Sequence, residues 1–577
     1  MEADRVAQTA ARPPFPGPGG HTIGARPIHP AVMPDARPSL TRRDFLGLGG
    51  AALASLAVPG AVSPAAPRRA AASRTQYKRR GLRAMTRIDE GRLDDAIAHL
   101  HEQLADLPGD PEFFYGLAVA HGRKGNLDTA LSYVRKALDA GLPPGRFLAG
   151  PRRLTGALRE APAFRALLYD RLGAAYIHGP MLGGVSDSEA RVWVRTPGAA
   201  TVRVALRPSG ADRWQHRSAP VRTREERDYT GVARITGLSP DTEYTYRLRV
   251  DGREQPGEWS FRTFPREGEA ASFSIGFGAC AGYTPWHEHI WRRIAAQDFP
   301  AFMLLGDNVY IDRPERPAVQ RYVYYRRQSR PEFRTLTAGT SIAAIWDDHD
   351  FGTNDSAGGP EPFSPDWKPS VWRTFRHNWN NVGYGNGASR PGTWHAWSIA
   401  DVDVFMLDCR YYRTAPDAAS PSMLGPTQKQ WLFDRLRQST ATFKLIASSV
   451  PFPDDVKPGS PDPWQGYPDE REELFSLIED QQIGGVVLLS GDRHRADVWR
   501  IEREESYDLY EFQNGRLTNI HTHGSMSGSL FSYNDTCHFG RLRVDTTRSD
   551  PTLTYDIIDI NGNVVHSTTL RRSQLSA

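Results

Sequence analysis

Cysteine is scarce in this chain: three residues in 577, Cys280, Cys409 and Cys537, widely separated. That count and spacing exclude a disulfide framework, and without a cysteine pair a zinc ribbon has no ligands. A marked charge excess is also missing. Lys and Arg number 71 against 67 Asp and Glu, leaving a formal charge of +4, and the basic residues do not concentrate near the candidate site below. A nucleic-acid platform is therefore disfavoured. After residue 62 no apolar run is long enough to cross a bilayer, so no integral membrane span is expected. What the chain does have is length for two to four domains and an aromatic content, 14 Trp and 21 Tyr, that suits a well-packed enzyme-like body.

Residues 1–75 read as a leader. A Pro- and Gly-rich stretch without an apolar face runs to Leu40. Thr41-Arg-Arg-Asp-Phe-Leu46 follows, then an apolar stretch to Val62 and small residues around Ser63-Pro-Ala-Ala66. This is the order of a twin-arginine export signal. Gly47, Gly49, Gly50 and Pro59 make the segment a poor permanent span. The expectation is a protein exported in folded form, with its metal already loaded, to the periplasm, the cell surface or the medium.

Three regions are expected after the leader. Gly91-Arg-Leu-Asp-Asp-Ala-Ile-Ala recurs as Gly125-Asn-Leu-Asp-Thr-Ala-Leu-Ser, an offset of 125 − 91 = 34. That is the period of a tetratricopeptide repeat, and helical hairpins are expected over 80–172, with a surface available to a protein partner. Over 176–265 the pattern changes to period two, as in Glu243-Tyr-Thr-Tyr-Arg-Leu-Arg-Val250. Gly237-Leu-Ser-Pro-Asp-Thr-Glu-Tyr-Thr-Tyr246 resembles the corner of a fibronectin-like β-sandwich, in which a Tyr hydroxyl ties back to the upstream backbone. From 270 to 570 apolar strands alternate with helices over 285–296, 427–438 and 471–481. Segments 497–500, 507–513, 540–545 and 553–558 are expected to supply a second sheet.

Five apolar runs in that last region stop at potential metal ligands. They are Phe273 to Cys280, Ala301 to Tyr310, Ile342 to His349, Val402 to Arg410 and Gly485 to His494. Such runs suit strands buried on both faces, and ligands of open α/β sheets gather outside the carboxyl ends of strands. Gly306-Asp-Asn-Val-Tyr310 sets a carboxylate and a phenol on one tight turn. Asp347-Asp-His-Asp350 adds oxygen donors and an imidazole, and Asp492 and His494 sit on alternate positions of an extended strand end. So many anionic groups at one sheet edge repel each other unless cations neutralise them. Two cations sharing Asp307 would suit in-line attack at phosphorus.

Residues 270–570 resemble the PhoD-type alkaline phosphatases and phosphodiesterases, within the calcineurin-like metallophosphoesterases. The motifs that carry the resemblance are Cys280, Leu305-Gly-Asp-Asn-Val-Tyr310, Trp346-Asp-Asp-His349, Leu407-Asp-Cys-Arg-Tyr-Tyr-Arg413, Gly425-Pro-Thr-Gln-Lys-Gln-Trp431 and Leu489-Ser-Gly-Asp-Arg-His494. The resemblance implies a multidomain protein whose α/β body is a four-layer αββα sandwich, with Fe3+ held by Cys280, Asp307, Tyr310 and His494. It implies a second, divalent ion, Ca2+ by family habit, sharing Asp307 and taking Asp492 and either Asp348 or Asn354. No histidine stands in Ser448-Ser-Val-Pro-Phe452, where other metallophosphoesterases supply one.

The expected chemistry is attack by a metal-bound hydroxide on a phosphate ester. Arg410 or Arg413 would offset charge on the phosphoryl oxygens, and His349 or His494 would assist the leaving oxygen. Arg410 has a second reading, a strand-end salt bridge. His287 and His289 would line the cavity mouth or start a helix at the surface. Tyr322, Tyr324, Tyr325, Trp372, Trp379 and Trp394 would form an apolar rim or a core. The expected function is that of an exported metal-dependent phosphoric ester hydrolase. The alternatives are a phospholipase D-like phosphodiesterase and a non-catalytic adaptor working through its helical repeats.

Overall fold

A computed structural model describes residues 77–576. The expected leader over 1–75, with its twin-arginine motif, lies outside the described residues. Seven helices come first: α1 (Tyr77–Asp89), α2 (Leu93–Asp106), α3 (Pro111–Arg123), α4 (Leu127–Asp139), α5 (Pro144–Ala149), α6 (Arg152–Glu160) and α7 (Pro162–Leu172). The 34-residue period is visible as geometry. Gly91 after α1 and Gly125 after α3 adopt φ 78° and 82°. At each, the next residue's N–H reaches back to the third-last helical carbonyl, Arg92 to Arg87 at 2.9 Å and Asn126 to His121 at 3.0 Å. Only glycine takes that left-handed position without strain, so the same turn reverses the chain twice.

These helices do not stand apart from the rest. Leu82, Met85 and Ile88 of α1 share one core with Val319, Tyr322 and Val323. Between them and the main body lie nine strands: β1 (His178–Gly183), β2 (Glu189–Arg195), β3 (Thr201–Pro208), β4 (His216–Arg217), β5 (Val221–Arg222), β6 (Thr230–Thr236), β7 (Glu243–Val250), β8 (Arg253–Glu254) and β9 (Trp259–Arg262). Strands β1, β2 and β6 form one antiparallel sheet, while β3 and β7 centre a second. Val192, Val194, Val204 and Leu248 from the two sheets belong to one core. At the predicted corner the Ser239 N–H donates to the Tyr244 hydroxyl at 2.9 Å.

The main body holds β10 (Ser272–Gly278), α8 (Ile290–Ala295), β11 (Ala301–Leu305), α9 (Pro317–Gln328), α10 (Pro331–Gly339), β12 (Ser341–Ile345), α11 (Asp348–Phe351), α12 (Lys368–Asn378), β13 (His395–Ile399) and β14 (Val402–Met406). It continues with α13 (Gly425–Gln438), β15 (Phe443–Ala447), α14 (Pro468–Asp480), β16 (Val486–Ser490), β17 (Ala496–Ile501), β18 (Leu509–Asn514), β19 (Phe531–Tyr533), β20 (His538–Asp545), β21 (Thr552–Asp559) and β22 (Val564–Arg571). One sheet runs β12-β11-β10-β20-β21-β22 and the other β13-β14-β15-β16-β18-β17-β19. This corrects the expected second sheet. Segments 496–501 and 509–514 extend the sheet of β16, whereas 538–545 pairs onto β10 and 552–559 onto 538–545. Every residue of β11, β15 and β16 is buried, as strands covered on both faces require.

The helix over 285–296 is shorter than expected, with only Ile290–Ala295 helical. The six aromatics from Tyr322 to Trp394 are core: each is at most 5% exposed, so none forms a rim.

Candidate metal centre

Strands β10, β11 and β12 are neighbours and mutually parallel, so their carboxyl ends share one sheet edge. Cys280 follows β10, Asp307 follows β11, and Asp347, Asp348 and His349 follow β12. In the second sheet β14, β15 and β16 are likewise parallel, and β16 delivers Asp492 and His494. Two sheets thus empty their ligand loops into one place.

The backbone there is strained. Cys280, Asp307 and Asp492 sit at φ 59°, 52° and 60°, a left-handed conformation that costs roughly 1–2 kcal/mol for a residue with a Cβ. Such strain at three ligand positions is a mark of a functional site. Gly306 makes the convergence possible. Its φ is 105°, and a Cβ there would stand 2.9 Å from the Asp347 nitrogen, so any other residue would push the β11 and β12 loops apart. Asp350 ties the same two loops by accepting from the Asn308, Val309 and Asp347 N–H groups at 3.0–3.2 Å.

Ligand atoms of Cys280, Asp307 and His494 lie within 4.8 Å of one another, as do those of Asp307, Asp348 and His349. Asp307 belongs to both groups, the arrangement a bridging carboxylate needs. Tyr310 joins the first group, since its hydroxyl stands 3.5 Å from His494 Nε2. All these side chains are buried.

Without a cation Cys280, Asp307, Tyr310 and Asp492 bind their protons more tightly than usual. Burial pushes Asp307 up to about 8, with Asp348 and Asp350 adding repulsion against the relief from His349. Burial and then Asp307 carry the Cys280 thiol and the Tyr310 phenol well above their usual ranges, and burial raises Asp492. His494 is held well below its usual value by burial and by Lys78, leaving a neutral ring able to ligate. Asp492 Oδ2 and His494 Nδ1 are buried without a hydrogen-bond partner among the described residues. A thiolate, a phenolate, an imidazole and shared carboxylates fit a hard trivalent ion beside an oxygen-bound divalent one.

Asp348 accepts the His349 and Asp355 N–H groups at 2.8 and 2.7 Å. Asn354 lines the same cavity from an exposed loop. His349 Nδ1 bonds Asp312 Oδ1 at 2.6 Å. Although burial opposes it, Asp348, Asp307 and that bond raise the imidazole to about 9. Asn519 donates to the Tyr310 hydroxyl at 2.7 Å and contacts His494 Nε2 at 3.3 Å.

The expectation that Arg410 touches phosphate is corrected. Arg410 is fully buried and turned away from the cavity, with Nε on Asp347 at 2.6 Å and Nη1 on Asp462 at 2.7 Å. Arg413 bonds Asp462 as well, at 2.8 Å. Two carboxylates in low dielectric take the guanidinium before any substrate can, so the salt-bridge reading holds. In the stretch without a histidine, Ser449 donates to Asp347 at 2.8 Å. His287 is part-buried against Cys537 Sγ at 3.3 Å, His289 is exposed, and neither lines the cavity.

The cavity over the ligands measures about 350 Å3, and its twelve lining side chains are all polar or charged. Six of them had no role assigned from the sequence, and of these only Arg493 stands inside a motif, Leu489 to His494. Lys457, Arg493, His521 and His523 come from the second sheet's loops, and Lys78 and Arg79 come from α1.

Residues 275–574 match the profile of the PhoD-like phosphatases. The chain belongs to that family of phosphoric ester hydrolases. Residues 87–142 match a tetratricopeptide repeat and 174–266 a domain of unknown function. Alkaline phosphatase D of Bacillus subtilis is 23% identical over 303 residues, 45% of this chain. The chain spans about half the length, 52%, of that curated relative. Among solved structures, PhoD superposes with a TM-score of 0.56 at 16% identity, covering 67% of this chain and 91% of that one. A purple acid phosphatase from yellow lupin (Lupinus luteus) seeds gives 0.50 at 14% identity, with 69% and 75% covered. At these identities the likeness speaks for the PhoD-like fold, an α/β body with several sheets behind a repeat-like helical region. No described helix is long and apolar enough to cross a membrane.

Proposed function

We propose that this PhoD-like phosphatase is an exported, metal-dependent hydrolase of small phosphate esters, an alkaline phosphatase or phosphodiesterase. The observation that carries the reading is Asp307, which belongs to two ligand groups at once in a cage whose carboxylates make no ion pair closer than 3.8 Å among the described residues. In this reading Cys280, Asp307, Tyr310 and His494 hold Fe3+, and Asp307, Asp492 and Asp348 hold a divalent ion, Ca2+ by resemblance. Asp348 is preferred to Asn354 because its carboxylate lies among the buried donors. The ions, when bound, acidify water and neutralise charge on the phosphoryl oxygens.

The chain's own residues do the rest. Asp312 holds the Nδ1 proton of His349, which leaves Nε2 to deliver a proton to the leaving oxygen. Arg410 acts as a positioning residue, fixing Asp347 behind the ligand loops. The all-polar cavity favours compact soluble esters over lipid tails, and export rests on the twin-arginine motif of the sequence. The reading also includes a fibronectin-like spacer over 176–265, a four-layer αββα body over 270–570 and repeat-like hairpins over 80–172.

The test is turnover of p-nitrophenyl phosphate, bis-p-nitrophenyl phosphate and phosphatidylcholine alongside metal analysis. Hydrolysis of the soluble esters, lost on chelation and regained with metal, is expected. Turnover of phosphatidylcholine alone would move the reading to a phospholipase, and a metal-free protein that turns over none of them would leave an adaptor.

A further inference from the structure

The repeat helix α1 is not turned outward as a free binding surface. Leu82, Met85 and Ile88 are buried in the core shared with α9, the Tyr77 hydroxyl bonds Asp110 at 2.7 Å, and Arg326 donates to the Lys78 carbonyl at 3.3 Å. That fixed helix brings Lys78 and Arg79 into the wall of the catalytic cavity, beside Asp307 and His349.

The cations of this cavity differ in how far they are neutralised. Lys457 is committed to Asp355 at 2.8 Å and Asp462 at 3.0 Å, and Arg493 stands 3.8 Å from Asp492. Lys78 has no carboxylate partner among the described residues. Its ammonium rests 3.6 Å above the Tyr310 ring centroid and 3.3 Å from the Asn519 side-chain oxygen. Arg79 makes one ion pair, 3.3 Å to Asp312, whose other oxygen is taken by His349. A cation on a cavity wall that no direct ion pair takes up is available to an anion from outside.

The position of the pair decides which anion. The ring of His349 packs 4.4 Å from that of Tyr310, the ring beneath Lys78, and Arg79 shares Asp312 with His349. Lys78 and Arg79 therefore flank the imidazole that serves the leaving oxygen. On the reading above, in which that imidazole serves the leaving oxygen, this is the leaving-group side of the cavity.

We propose that Lys78 and Arg79 of the first repeat helix form the leaving-group subsite and select phosphate esters whose alcohol portion carries a second anionic group, a carboxylate or another phosphate. The helical region is then a specificity element of the enzyme. This inference rests on the phosphoesterase reading above.

The test compares phenyl phosphate with 4-carboxyphenyl phosphate in the full chain. The wild type is expected to show at least tenfold higher kcat/KM for the carboxylate ester, with the difference carried by KM. The Lys78→Met, Arg79→Met double variant, checked for an unshifted thermal midpoint, should lose about tenfold of that preference, and Lys78→Arg should keep it. A wild type without preference for the anionic ester overturns the proposal whether or not the variant folds, and so does an unchanged preference in a folded double variant. Failure of the wild type to hydrolyse either ester would overturn the phosphoesterase reading itself, and the subsite with it.

Discussion

Two buried charge clusters lie side by side in this protein, and they are built on opposite terms. In one, Asp347 and Asp462 are met by Arg410, Arg413 and Lys457 at 2.6–3.0 Å, and Asp462 is held well below its usual range despite its burial. In the other, Cys280, Asp307, Tyr310 and Asp492 crowd together with raised proton affinities. What separates them is how close the counter-charge comes: direct ion pairs in the first, and none nearer than 3.8 Å among the described residues in the second. On the proposed reading the closely paired cluster is scaffold and the other receives the cations.

The largest break in that comparison comes from Asp307→Ala. Losing the shared carboxylate should remove both metals and lower kcat/KM at least ~10³-fold, since metal and activity depend on one residue. Metal analysis and steady-state kinetics check this. In the presence of chelator at pH 9, where the wild-type group is ionised without a cation, the same variant should melt no lower than the wild type.

Arg410→Met should do the reverse. It strands Asp347 and Asp462 in the interior, so a loss of roughly 3–5 kcal/mol is expected from breaking a buried pair by removing one partner. Denaturant titration should find it with and without metal.

Asp312→Asn sharpens the roles at the cavity. It leaves the ligand groups intact but removes the partner that fixes the His349 tautomer, so kcat should fall about 10–100-fold while metal content is kept. The limb of the pH–rate profile that reports His349 should shift to lower pH.

The smallest effect is on the metal-free protein's own pH dependence. Asp307 and Asp350, both pushed up to about 8, bind protons more tightly folded than unfolded. Their contribution is fully present below about pH 4, the ordinary carboxylate range, and is lost as pH rises through about 8. His349, raised to about 9, acts in the same direction from its ordinary value near 6.5 upward. Chelated protein should therefore melt lower at pH 9 than at pH 6, and added metal should reduce that difference.

The same contrast explains what was legible in the sequence. Strand-end ligands such as Asp307 and Asp492 announce themselves because a short apolar run fixes where the strand stops, and the repeat turns because only glycine suits Gly91 and Gly125. Arg410 could not be assigned from its motif, since its two carboxylate partners are 63 and 52 residues away. Lys78 and Arg79 carried no signal, because they reach the site through packing of α1 against α9, some 240 residues on. The division of β17–β22 between two sheets was likewise decided by long-range pairing that period-two patterning does not encode.

The most direct measurement of the central claim is the visible spectrum and metal content of the purified protein beside Tyr310→Phe. The account predicts iron together with a divalent ion, and a tyrosinate-to-iron charge-transfer band that is present in the wild type and absent from the variant. A colourless, metal-free wild type that still hydrolyses phosphate esters would contradict it.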